Sequence, residues 1–124
     1  MGPFQSILTG LFMMMNIVNN FSNDRLLFIF GKADNEILVQ RQVKLLDSVR
    51  EEIKERSLII TVVPKRNALI GKYQVKRGEF VVILVGKDGS EKYRTNKLLQ
   101  PAGLFAIIDA MPMRQEEISK KKTK

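Results

Sequence analysis

Arg25-Leu26-Leu27-Phe28-Ile29-Phe30-Gly31 and Leu58-Ile59-Ile60-Thr61-Val62-Val63-Pro64 are two short apolar runs, closed by a glycine and a proline respectively, with a stretch of helical periodicity between them. Runs this short and this rich in β-branched and aromatic residues, without polar alternation, are the signature of strands buried on both faces. Between them, Leu38, Leu45, Val49 and Ile53, joined by Val39, Val43 and Leu46, recur at the helical period. Asp34 or Asn35 can cap this helix, and it is expected to run to about Arg56, with Glu36 in its first turn and Lys54 and Arg56 in its last, signs that suit the helix dipole. A strand, a helix and a strand in that order make a βαβ unit, so the two strands should be parallel and the crossover right-handed.

Working outward, Lys65 to Tyr73 reads as a shorter helix turning Ala68, Leu69 and Tyr73 to the core. Phe80–Val85 and Ser90–Thr95 then flank Gly86-Lys87-Asp88-Gly89, where Asp88 and Gly89 signal an antiparallel hairpin. The second of these strands alternates Lys92 and Arg94 with Tyr93 and Thr95, as expected of a half-exposed edge strand whose cations discourage further pairing. A last helix starts at Pro101, presents Leu104, Phe105, Ile107 and Ile108, and is expected to stop at Pro112. The fold class is therefore α/β, a βαβ unit followed by a helix, a β-hairpin and a C-terminal helix around a central mixed sheet. Residues 24–113 form the expected domain. The closing Lys120, Lys121, Lys122, Thr123, Lys124 is very highly charged, so residues 114–124 are expected to be a frayed basic tail.

The chain has 124 residues, enough to close one core, and contains no cysteine and no histidine. Thiol exchange and cysteine- or histidine-ligated zinc are thereby excluded. Residues 24–56 carry seven basic and seven acidic groups, whereas Lys65 to Lys97 carries nine against three and holds most of the net charge of +8. Such asymmetry favours an acidic partner, a protein or a polymer, although lysine and arginine also serve simply to keep a surface soluble. Residues 1–23 include the uncharged apolar stretch Phe4 to Val18. It is short for a membrane span, which needs about 20 residues, and it lacks a basic start. A docked element, an export or anchor segment with membrane contact through residues 4–18, and disorder all remain open, and export or cytoplasmic residence depends on which holds.

Three stretches carry a resemblance: Arg25 to Phe30, Val81 to Gly89, and Leu104 to Arg114, ending Ile-Asp-Ala-Met-Pro-Met-Arg. With the element order they resemble a thioredoxin-like domain of unknown function, shared by small bacterial proteins and by animal matrix proteins such as equarin and the sushi-repeat-containing proteins, the P-DUDES group. The resemblance implies a thioredoxin-like three-layer fold, adhesion and matrix contact for the animal relatives, and no established enzyme activity. Where thioredoxins carry paired cysteines this chain has Gly31, Lys32, Ala33, Asp34 and Asn35, and Gly78, Glu79 and Phe80 stand where a proline usually precedes the third strand.

Asp34, Asn35 and Glu36 fall at the carboxyl end of the first strand, where α/β folds place their sites. Together with Lys32 they suggest either an anion or partner contact or, as an enzyme alternative, a small hydrolase or transferase site built on Lys32, Asp34 and Glu36. Capping is the plainer role for Asp34 and Asn35. Lys76, Arg77, Lys92 and Arg94 are the further candidate contacts, within a basic set that also includes Lys65, Arg66, Lys72, Lys87 and Lys97, with Tyr73 and Tyr93 as possible stacking partners. No motif of a sequence-specific nucleic-acid reader, no phosphate loop and no metal-ligand spacing is present, so no cofactor is expected and any polyanion binding is electrostatic. Asp109 lacks a carboxylate mate and reads as surface. Met13 to Met15 reads as packing or membrane contact. Oligomeric state is not legible.

Overall fold

The structure, a computed structural model, describes residues 23–32 and 36–122. The expectations for Phe4–Val18, Asp34 and Asn35 therefore lie outside the described residues. Four strands, β1 (Arg25–Phe30), β2 (Leu58–Val62), β3 (Val81–Val85) and β4 (Glu91–Thr95), form one mixed sheet in the order β2-β1-β3-β4. As the two apolar runs demand, β1 and β2 are parallel, with Arg25 opposite Leu58 and Phe28 opposite Thr61. β3 runs antiparallel to β1 and β4 antiparallel to β3.

The central strands bury both faces because both faces are covered. Leu27 and Ile29 of β1 and Val82 and Leu84 of β3 pack with Val39, Val43, Leu46, Ile53, Leu104 and Ile108 from helices α1 (Ile37–Asp47), α2 (Arg50–Glu55) and α4 (Pro101–Asp109). On the opposite face Phe28, Phe30, Val81, Ile83 and Val85 meet Val63, Val75, Leu69, Ile70 and Tyr73 around helix α3 (Ala68–Lys72). The result is a three-layer α/β fold. Each fully buried aliphatic or aromatic side chain in these layers contributes about 1.5–3 kcal/mol of transfer free energy.

The crossover helix is interrupted: α1 ends at Asp47 and α2 begins at Arg50, with Val49 at φ −128°, ψ 39°. Ser48 Oγ donates to Leu45 O at 2.7 Å, a side-chain bond that competes with continuation of the helix. Glu36, expected in the first turn, stands at the N-cap of α1, and its side chain makes no capping bond. In α3 the cap is Asn67, whose Oδ1 accepts from Leu69 N at 2.9 Å, and it is Ile70 rather than the exposed Ala68 that joins Leu69 and Tyr73 at the core. The hairpin closes as its residues suggest, with Gly86 N donating to Ser90 O at 2.9 Å and Gly89 at φ +83°, a conformation glycine adopts without strain. β4 is the exposed edge.

The largest departure lies at the C-terminal end. Pro112, expected to stop the last helix ahead of a frayed tail at 114–124, instead occupies the first turn of a further helix, α5 (Pro112–Lys122), where a missing N–H costs nothing. This helix is anchored. Arg114 is buried and Glu117 is half-buried, both in ion pairs.

Candidate functional site

β1 and β2 end side by side, and beyond Phe30 and Val63 the chain opens a cavity of about 230 Å³ floored by Phe30, Val63, Ile70 and Val75. Its wall is the turn Lys76-Arg77-Gly78-Glu79, held by Glu79 N donating to Lys76 O at 3.1 Å, with Gly78 at φ +79°. Lys32, Lys65, Lys76 and Arg77 stand around the mouth and all are exposed. Among the described residues none of the four is in an ion pair, and the half-buried Glu79 is the one carboxylate lining the cavity, which leaves the mouth at +3.

Gly31 governs the approach of helix to strand at this rim. A Cβ there would sit 2.5 Å from Val39 Cγ2 and 2.7 Å from Glu36 Oε2, so only glycine lets α1 lie this close. The Glu36 carboxylate accepts from the Lys32 backbone N–H at 2.8 Å. What joins Lys32 to Glu36 is thus a loop tie, and no ion pair links their side chains.

Of the expected contact residues, the fold brings Lys32, Lys76 and Arg77 together and adds Lys65. Asp34 and Asn35 lie outside the described residues. Lys92 and Arg94 are elsewhere, on edge strand β4, and both are engaged: Lys92 with Asp88 at 2.9 Å, Arg94 with Glu91 at 2.8 Å and, as donor, with Tyr73 O at 2.7 Å. Lys92 and Arg94 thus have carboxylate partners of their own and do not line this cavity. The half-buried Tyr73 ring packs on Phe28 at 5.6 Å, and burial, aided by Glu91, pushes its hydroxyl above the ordinary range. Tyr93 remains 38% exposed.

A second charged constellation gave no warning as a unit. Arg25, fully buried at the start of β1, donates to Arg56 O at 2.8 Å and pairs with Glu117 at 3.0 Å. Glu117 also holds Lys87 at 2.8 Å. Buried Arg114 bridges Asp109 at 2.9 Å and Glu55 at 2.7 Å, and Asp109 binds Arg56 at 2.9 Å. Arg56 in turn lies 4.2 Å over the Phe105 ring. Asp109, expected at the surface without a mate, is half-buried between two guanidinium groups. Two sequence signals were available: an arginine opening a strand buried on both faces, and an aspartate set in an apolar helix, each of which requires a partner.

This cluster makes stability depend on acid. Burial alone would raise the Glu117 pKa, but Arg25 and Lys87 outweigh it and hold the carboxyl at about 2, against an ordinary 4.5. Arg56 chiefly lowers Asp109, and Arg114 chiefly lowers Glu55. A depressed folded pKa means stability that is complete above the unfolded value and lost as pH falls through the folded one. Unfolding free energy measured in urea should therefore drop between pH 4.5 and about 2, with Glu117 alone contributing on the order of 2 kcal/mol. A Glu117→Gln variant with the same pH dependence as the parent would refute this assignment.

No group of three or more potential metal ligands occurs among the described residues, and no helix there is long and apolar enough to cross a membrane. Fold and site together define a small three-layer α/β protein with a cation-rimmed cavity at the carboxyl ends of its parallel strands. The chain belongs to the family described as a domain of unknown function (DUF4174), which matches residues 19–117. Among solved structures it is similar to one described as that of a malarial protein, at 18% identity and a TM-score of 0.56, over 69% of this chain and 94% of that one. That likeness concerns the fold. No match to a curated protein is found.

Proposed function

We propose that this is a redox-inactive, thioredoxin-like binding module that engages an acidic partner, a protein or an acidic polymer, at the cation-rimmed mouth of the cavity beyond β1 and β2. The thioredoxin-like reading is supported by the element order and by the sheet order β2-β1-β3-β4, with a parallel β1–β2 pair and an antiparallel β3–β4 hairpin. Redox inactivity follows from the absence of cysteine. The observation that carries the binding role is the convergence of Lys32, Lys65, Lys76 and Arg77, none paired with a carboxylate among the described residues, around an apolar floor. Charges left unpaired on one concave surface focus a field that draws in anions. The alternative of a hydrolase or transferase site is weaker, because Glu36 is committed to the Lys32 amide.

Heparin chromatography tests the reading. The protein should elute from heparin later than from a plain cation exchanger, and Lys76→Glu with Arg77→Glu should lower the elution point by about 0.1–0.2 M salt. The control reverses Lys121 and Lys122, an equal change in net charge on α5. Equal losses from the two pairs, or elution of the parent below about 0.2 M salt and no later than from the exchanger, would overturn the proposal.

A further inference from the structure

We propose that a second site, at the opposite end of β1, takes a small free carboxylic acid with an apolar tail. Here Arg25, the Gly86–Asp88 turn and the α4–α5 junction border an open cavity of about 500 Å³, within the range of small-molecule sites. Ile107, Met111 and Met113 form an apolar wall, and Met113 is 48% exposed. Methionine side chains are unbranched and polarisable, so they adapt to a flexible hydrocarbon tail.

The polar end is supplied by Arg25 and Lys87. These two cations share a single carboxylate, Glu117, which also stands 3.5 Å from Arg114, itself matched by Asp109 and Glu55, while Lys92 and Asp88, which also line the cavity, neutralise each other. One positive charge is left over, which matches a monoanion. Donors are left over as well. Arg25 is fully buried, yet its Nε has no hydrogen-bond partner among the described residues. Lys87, with its side chain 15% accessible, has three N–H donors and one carboxylate contact. An orphaned donor in a low-dielectric setting is costly unless something satisfies it, and a ligand carboxylate seated at Lys87 would supply both charge and acceptors.

The two ends of the sheet are built from different residues. Arg25, the Gly86–Asp88 turn and residues between Ile107 and Met113 meet at this cavity, and none of them lines the cavity at the other end of β1. The second site is thus independent of the cationic mouth, and neither proposal depends on the other.

The test titrates octanoate into the full chain carrying ¹³C-methyl methionine and follows the methyl resonances by NMR, with Met111→Leu used for assignment. The Met111 and Met113 signals should shift and saturate with a Kd below about 1 mM. Acetate, which has the charge without the tail, and octanol, which has the tail without the charge, should each bind at least about tenfold more weakly. Met113→Glu, at an exposed position, and Lys87→Met, which leaves Glu117 with Arg25, should each weaken octanoate about tenfold while the thermal midpoint stays within a few degrees. Absence of saturable shifts at Met111 and Met113 up to about 10 mM octanoate would overturn the proposal, as would octanol binding as tightly as octanoate, or both variants binding like the parent.

Discussion

Glu117→Ala is expected to cost about 3–5 kcal/mol, because it strips buried Arg25 and largely buried Lys87 of the carboxylate they share. For a domain of this size that loss lowers the melting midpoint by more than about 10 °C. Glu116, next in sequence but exposed, provides the contrast: Glu116→Ala should stay within about 0.5 kcal/mol of the parent. Thermal and urea denaturation measure both. Similar stabilities for the two variants would mean that the cluster is decoration on a core that holds without it. The energetics are asymmetric: a buried ion pair adds little over a well-packed apolar pair, whereas half of one is strongly destabilising.

Gln42→Leu is the second large effect, and simple hydrophobicity gets its sign wrong. Gln42 is fully buried on α1, among apolar neighbours, and leucine would fill similar space with more apolar surface. That exchange gains roughly 1 kcal/mol by area. Yet Gln42 Nε2 donates to Leu99 O at 2.9 Å, and Leu99 N donates to Gln42 Oε1 at 2.7 Å. The side chain thus satisfies both backbone groups of a buried residue in the approach to α4, where no strand or helix does so. Leaving two such groups unpaired costs about 1–3 kcal/mol each. The net expectation is a destabilisation of about 2–4 kcal/mol in urea melts. A neutral or stabilising substitution would show that water or a backbone shift replaces the two bonds.

The strands were legible because their composition is local and extreme: nothing but a buried strand accounts for Val81-Val82-Ile83-Leu84-Val85, and Asp88-Gly89 dictates a reversal after it. The period of Leu38 to Ile53 was equally plain, although the break at Ser48–Val49 was not, since it turns on one hydroxyl and its choice of carbonyl. Charges were the least readable feature. Arg94 and Lys76 look alike in the chain, but Glu91 occupies the first and no carboxylate among the described residues pairs with the second, and only the folded geometry separates them. The tail misled for the same reason. Its lysines mask Arg114 and Glu117, whose partners Glu55 and Arg25 lie 59 and 92 residues away. Lys65 joined the cavity mouth through the turn after Pro64, which composition alone does not place.

The 92-residue separation between Arg25 and Glu117 also sets an order of events during synthesis. The first strand is made carrying a guanidinium that the finished sheet seals away from solvent, 92 residues before its counterion. At about 5–20 residues per second, the nascent chain waits several seconds before that pairing becomes available. Closure of this end of the sheet therefore trails the synthesis of β1, and in the interval the amino end of β1 stands without its counterion.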